Sequence, residues 1–385
     1  MKTKTWTPVN ADLIGVEGGA ARLTTPALLL DIAAMRANMQ YLASECARHG
    51  MKLRPHAKTH KCAEIAMEQL ASGAVGVCCA TPHEVVALAA AGVPELLLTT
   101  PVCQPRHFEQ LAALHRQGLN LMVVADHPDQ IASWAAALGA LGDTGRPLPV
   151  LVDIDIGMDR TGAVGAEAVV ELARALAGHK KLHYAGVQAY SGMVQHIGTY
   201  AERKQAYQPQ MDRLQHVLDA LRQAGLPPGI VSGGGTGTFG IDVEQRIFTE
   251  SQAGSYLFMD VEYSEVQLFA DRDNPYQTAL ILRTSVLNNK VPGQLTINAG
   301  SKSVATDGPL PVVRGPAGGQ RYQPYGDEFG RIVLDAPQPQ PSPLGSHIDL
   351  VTPHCDPTIN LHDCYHVIDG DRVIDIWPIV ARGVL

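Results

Sequence analysis

The stretch Leu53-Arg54-Pro55-His56-Ala57-Lys58-Thr59-His60-Lys61 closes a candidate strand, Lys52 to His56, and sets a lysine just past its end, beside two histidines and a second lysine. A helix-like segment, Lys61 to Ser72, follows it. The same strand-then-helix unit recurs in both directions. Strand candidates are Leu28 to Leu30, Lys52 to His56, Val75 to Cys79, Leu96 to Thr99, Leu119 to Val124, Val150 to Asp155, His183 to Val187, Gly229 to Ser232 and Glu250 to Ala253. That is one more than a closed eight-stranded barrel needs. Segments such as Ala33 to Arg48, Pro82 to Ala91 and Tyr200 to Ala224 are placed as crossovers, so the strands run parallel. The expected fold is α/β, a (β/α)8 TIM-type barrel.

At 385 residues the chain exceeds the size at which one core keeps growing. From about Asp271 the pattern changes to short β-like runs with frequent Gly and Pro, which predicts a C-terminal β domain. Pro337 to Pro343 reads as an irregular loop. The charge of −8, with no Lys/Arg cluster, gives no footprint for nucleic acid. No apolar run is long enough for a membrane span, and Met1 to Asn10 leads into no apolar signal core, so the expected setting is the cytoplasm. Seven scattered cysteines without C-x-x-C spacing predict reduced, mostly buried thiols.

Barrel enzymes keep their chemistry at the face where Lys58 falls. Partial burial and neighbouring positive charge would lower its pKa, as a Schiff-base amine requires. After the seventh barrel strand, Ser232-Gly233-Gly234-Gly235-Thr236-Gly237-Thr238 can turn successive N–H groups onto an anion, and Gly254-Ser255-Tyr256 offers a second contact after the last strand. A lysine at one strand end and a phosphate cradle at another are what pyridoxal 5'-phosphate (PLP) needs. A third element, His354-Cys355-Asp356-Pro357-Thr358, holds a histidine and a carboxylate two residues apart. On an extended segment both would face one divalent ion. His347-Ile348-Asp349 has the same spacing and is a possible decoy.

In this order, from about Thr24 onward, these elements resemble the D-threonine aldolase and D-serine dehydratase group of fold-type III PLP enzymes. Arg54 to Lys58 is similar to the group's PLP-lysine motif, Ser232 to Gly237 to its phosphate loop and Gln252 to Tyr256 to its second phosphate contact. Asp155 to Gly162 resembles the segment whose arginine, here Arg160, lies beside the cofactor ring, and Gln188 to Gly192 with Gln195-His196 resembles another active-site strand end. The resemblance implies an alanine-racemase-like barrel over 33–270 and a β domain over 271–385 that carries the metal site. Residues 1–32 then join the β domain, which leaves eight strands for the barrel, and the assembly is a homodimer.

The resemblance further implies cofactor contacts from Lys58, Arg160, Tyr190, Gly234, Gly235, Thr236, Gly237, Gly254, Ser255 and Tyr256. The His-x-Asp pair followed by Pro-Thr resembles the aldolase branch, whereas the dehydratase branch has His-x-Cys; Cys355 should then point away from the metal. An oxygen and nitrogen pair suits Mn²⁺ or Mg²⁺ better than Zn²⁺. The expected substrate is a D-β-hydroxy amino acid, with His196 or a water on the metal taking the hydroxyl proton. Ala80 after Cys78-Cys79, Thr99-Thr100-Pro101-Val102 and Glu328-Phe329-Gly330 depart from the group's pattern. The alternatives are β-elimination to a keto acid and ammonia, a PLP-binding protein without turnover, and a metal-dependent barrel without PLP.

Overall fold

The computed structural model describes residues 8–142, 145–315, 319–335 and 342–383. All nine expected strands form: β1 (Ala27–Asp31), β2 (Lys52–Leu53), β3 (Val77–Cys79), β4 (Glu95–Leu98), β5 (Asn120–Ala125), β6 (Leu148–Ile154), β7 (Leu182–Ala189), β8 (Ile230–Gly233) and β9 (Glu250–Ser251). Strands β2 to β9 make one parallel sheet, with β9 pairing both β8 and β2. Backbone bonds from Val75 to Leu53 (2.8 Å) and from Cys78 to Pro55 (2.9 Å), with a parallel His56–Cys78 bridge, close it into a barrel.

Helices fill the crossovers because their starts are written into the chain. Thr81 accepts from the Glu84 N–H ahead of Pro82, and Thr199 and Glu202 cap one another at the head of the helix Tyr200–Gln223. Along the strands, side chains alternate between two cores. Val77, Leu96, Val123 and Val150 pack under the helices, while Cys78, Leu97, Val124 and Leu151 cluster inside the barrel. The interior also holds the two-pronged pair Arg54–Glu250 (2.8 and 3.2 Å), both side chains buried. Removing one member of such a pair costs about 3–5 kcal/mol because the other is left charged and unpartnered.

Strand β1 lies outside the barrel. It pairs antiparallel with Leu280–Asn288 and parallel with Cys364–Asp369, in a nine-stranded sheet that also contains His347–Val351 and Arg372–Pro378. Its leucines are buried on both faces, Leu28 and Leu30 against the barrel helices and Leu29 on the far side. A strand covered on both faces reads as a continuous apolar run, like a barrel strand. Most of the loop expected over Pro337 to Pro343 falls outside the described residues. Among the described residues all seven cysteines are free and five are buried; Cys103 is exposed and Cys364 is half-buried. No helix among them is long and apolar enough to cross a membrane.

Candidate active site

The strand ends of the barrel open into a cavity of about 470 Å³, within the range of small-molecule sites. Lys58, Arg160 and Tyr190 line it, as do Gly235, Thr236, Gly254 and Ser255. Lys58 stands in a single 3-10 turn, Ala57–Thr59, whose cap is His56: the Lys58 N–H donates to His56 Nδ1 (3.3 Å). The other ring nitrogen lies 3.1 Å from Thr99 Oγ1, and the Thr99 hydroxyl itself donates to the Cys79 carbonyl. That commits Nε2 of His56 to be the donor, and burial with Lys58 nearby pushes its pKa down to about 3. His56 is therefore a neutral brace, and Thr99, a departure from the group's pattern, supplies its acceptor.

The second domain pins this turn from outside. Tyr365 Oη donates to the His60 carbonyl (2.7 Å) and Ala381 N–H to the Lys61 carbonyl (3.1 Å). Lys61, in the left-handed region at φ 53°, reaches Glu84 (2.6 Å), whose other oxygen accepts from the Ala80 N–H.

The Lys58 ammonium lies 2.7 Å from Asp356 Oδ2, while 41 % of its side chain is exposed to the cavity. The expected lowering of its pKa is overturned: Asp356 raises it, outweighing burial. For Asp356 burial works upward, but the Lys58 charge prevails and holds the carboxyl at about 2. His354 is extended and Asp356 sits in the first turn of a short helix, Cys355–Ile359, so alternation along a strand is not what brings them to the site. Cys355 between them is fully buried, with its N–H donating to Asp260. Asp356 Oδ1 and the Thr59 hydroxyl are both buried without a well-formed hydrogen bond. No three His, Cys, Asp or Glu side chains converge as a metal cage among the described residues, so His354 and Asp356 could offer only an open, two-donor site. The decoy is spoken for: Arg283 grips Asp349 with two 2.7 Å bonds.

The glycine loop is tighter than a plain nest. Gly235 N–H donates to Thr238 Oγ1 (3.0 Å) and Gly237 N–H to Gln195 Oε1 (2.9 Å), while the Gly234 and Thr236 N–H groups have no partner among the described residues. Gly234 has φ 70°, and a Cβ there would run into Asp242. A Cβ at Gly235 would stand 2.6 Å from Gln195 Oε1, and one at Gly254 2.5 Å from Thr59 Oγ1. This glycine-cut hollow, facing a lysine across the cavity, fits a phosphate and an aldehyde on one small ring. The Tyr256 ring is fully buried and only its N–H joins the loop, by donating to Thr236 Oγ1 (3.0 Å). Arg160 lies 5.9 Å over the Tyr190 ring.

His196 does not line the cavity; its side chain is partly exposed, edge-on to Tyr263 at 4.6 Å, with Nε2 3.5 Å from Glu262 Oε2. Burial lowers its pKa. Glu262 and Asp307 escaped the sequence reading, yet they flank His354 Nδ1 at 4.0 and 3.0 Å. Glu262 lies in the short helix Val261–Ser264 and Asp307 in a loop, both far in sequence from His354, so no local spacing ties either to it. The wall also holds a relay that was not foreseen in full: Gln188 donates to Asp153 (2.8 Å), and Gln252 donates to Gln188 (3.1 Å) and Ser232 (2.9 Å).

Beneath the loop, burial raises the Asp242 carboxyl to about 7, with the Thr238 hydroxyl donating to it at 2.8 Å. An acid raised from 3.8 keeps in the fold a proton that the unfolded chain loses, so stability falls as pH rises from about 4 to about 7. Asp242→Asn should abolish that component, and the melting temperature of the variant should gain on that of the wild type across this window. Parallel profiles would refute the buried-acid assignment.

The chain matches the family model "Alanine racemase, N-terminal domain" over residues 30–262 and "Putative serine dehydratase domain" over residues 279–368. It is 34% identical to a 3-hydroxy-D-aspartate aldolase of Paracoccus denitrificans (strain Pd 1222), over 94% of this chain and 93% of that one. A D-threo-3-hydroxyaspartate dehydratase of Delftia sp. (strain HT23) matches at 27%, over 92% and 97%. The crystal structure of D-threonine aldolase from Filomicrobium marinum superposes with a TM-score of 0.89 at 35% identity, covering 94% of this chain and 96% of that one. The barrel, the cavity with its lysine and glycine hollow, and likeness along almost the whole chain show that it belongs to the alanine-racemase-like family of PLP-dependent enzymes, in the group that includes the 3-hydroxy-D-aspartate and D-threonine aldolases.

Proposed function

We propose that this chain is a PLP-dependent lyase that cleaves D-β-hydroxy amino acids, D-threonine-like or 3-hydroxy-D-aspartate-like, between Cα and Cβ to give glycine and an aldehyde. Lys58 carries the cofactor, and His354 and Asp356 hold a divalent ion, Mn²⁺ or Mg²⁺ in preference to Zn²⁺. The observation that carries the reading is the 2.7 Å approach of the Lys58 amine to Asp356, which brings the amine and the metal carboxylate to one point on the cavity edge.

When bound, PLP accepts the electron pair released at the substrate α-carbon, and the divalent ion would lower the pKa of the β-hydroxyl. The protein's own part is positioning and proton handling. Gly234, Gly235, Thr236, Gly237, Gly254 and Ser255, with the Tyr256 N–H behind them, would hold the phosphate, and Tyr190 and Arg160, on the cavity wall, would contact the ring. Neutral His56 holds the Lys58 turn without adding charge beside the amine. His196, whose pKa is lowered by burial, is the candidate acceptor for the hydroxyl proton. A hydroxyl that loses its proton expels the α-carbon, whereas elimination needs the same oxygen to depart protonated or as hydroxide, so a proton-accepting neighbour favours carbon–carbon cleavage. The Delftia dehydratase is the less similar of the two enzymes compared by sequence, in keeping with this choice.

The same reading assigns 33–270 to the cofactor barrel and 271–385, with residues 1–32, to the β domain of a cytoplasmic homodimer. The test is product identity. The PLP- and Mn²⁺-loaded protein should convert D-threonine to glycine and acetaldehyde in equal amounts and leave L-threonine untouched. Ammonia and a 2-keto acid without glycine would make the chain a dehydratase.

A further inference from the structure

We infer that Asp307 sets the tautomer and the ring orientation of His354, so that Nε2 is the nitrogen presented to the divalent ion. This rests on the metal reading above and adds a positioning residue to it. His354 Nδ1 lies 3.0 Å from Asp307 Oδ2, with Glu262 Oε2 on the same side at 4.0 Å. Carboxylates only accept, so Nδ1 carries the hydrogen, and a neutral imidazole then has its lone pair on Nε2. His354 Nε2 makes no hydrogen bond among the described residues.

Asp307 is held in place from both sides. Two residues before it, the Ala305 N–H donates to Thr358 Oγ1 (3.1 Å), on the short helix that His354 caps. One residue after it, Gly308 packs so closely on Glu262 that a Cβ would stand 2.7 Å from Oε1. The segment is thus docked onto the helix that begins after His354 and onto the carboxylate beside it. About half of the Asp307 side chain is exposed, so the pair adds little to fold stability, and its effect falls on the ring it orients. Carboxylate partners of metal-ligating histidines change metal affinity by about 10–100-fold.

The test is Mn²⁺ binding to PLP-loaded, metal-stripped protein, with free Mn²⁺ followed by EPR. Asp307→Ala should bind about 10–100-fold more weakly, with PLP absorbance and melting temperature unchanged. Asp307→Asn, which still offers an oxygen to the Nδ1–H, should lose less. Nitrogen NMR of ¹⁵N-histidine wild type, assigned by His354→Gln, should show the Nδ1-protonated form without metal. Wild-type affinity in Asp307→Ala, equal losses in both variants, or an Nε2-protonated ring would overturn the inference while leaving the metal site standing. If wild type takes up no Mn²⁺, or His354→Ala binds it as well as wild type, the metal reading falls and this inference with it.

Discussion

Borohydride reduction of the PLP-loaded protein is expected to fix the cofactor to the peptide spanning residues 54–61, on Lys58 alone. Only an imine is reduced to a stable amine, so the label marks the nitrogen that holds the aldehyde. The peptide contains one competitor, Lys61, and geometry removes it: its amine is 2.6 Å from Glu84 and its side chain is 11 % exposed, whereas Lys58 extends into the cavity. Lys58→Ala should lower activity by roughly 10⁴-fold or more, the scale of losing a group that bonds to the reacting partner. A pH dependence follows from Asp356. Only the neutral amine attacks an aldehyde, and Asp356 raises the Lys58 pKa, so PLP capture by cofactor-free protein should accelerate as pH rises. In Asp356→Asn the raising charge is gone, and the same acceleration should move to lower pH. Label on Lys61, or an unmoved profile in Asp356→Asn, would show that the amine is controlled from elsewhere.

The parts of the fold legible in the sequence were those set by local pattern. Apolar runs separated by capped helices located all nine strands, since a buried parallel strand needs nothing beyond continuous apolar residues and a turn. That same sufficiency is why β1 could be found and not placed: buried leucines on both faces look alike in a barrel and in a mixed sheet. The cavity-lining glycines and Lys58 were visible because a phosphate hollow demands missing side chains. What escaped was long-range. The charge environment of Lys58 was read from His56, His60 and Lys61 beside it, yet it is decided by Asp356, almost three hundred residues later. The helical turn at Cys355 did have a local sign, an acidic residue and a proline at its first positions, where a proline's missing N–H costs nothing. Tyr256 shows the opposite limit: sequence marks the segment but cannot say that the backbone, and not the ring, meets the loop.

Removal of the metal should abolish turnover and leave the PLP absorbance in place, because no His354 or Asp356 atom belongs to the cradle that holds the phosphate. His354→Ala should reproduce the effect of EDTA, with turnover down by about 10²–10⁴-fold, the scale attached to losing assisted proton transfer. Asp356→Ala should do more than this. Its carboxylate serves both the ion and the Lys58 ammonium at 2.7 Å, so the variant also releases the lysine, and excess Mn²⁺ cannot restore that function. The two variants therefore separate under rescue: a high Mn²⁺ concentration should recover part of the activity lost in His354→Ala, where a carboxylate still anchors the ion, and little in Asp356→Ala. The pair His347 and Asp349 supplies the control. Asp349 is bound by Arg283 through both oxygens, so Asp349→Ala leaves a half-buried guanidinium unpaired and should lower the melting temperature without changing metal dependence. Loss of metal-dependent turnover in His347→Ala or Asp349→Ala, with full activity in the 354 and 356 variants, would move the metal to the other pair and separate it from the lysine altogether.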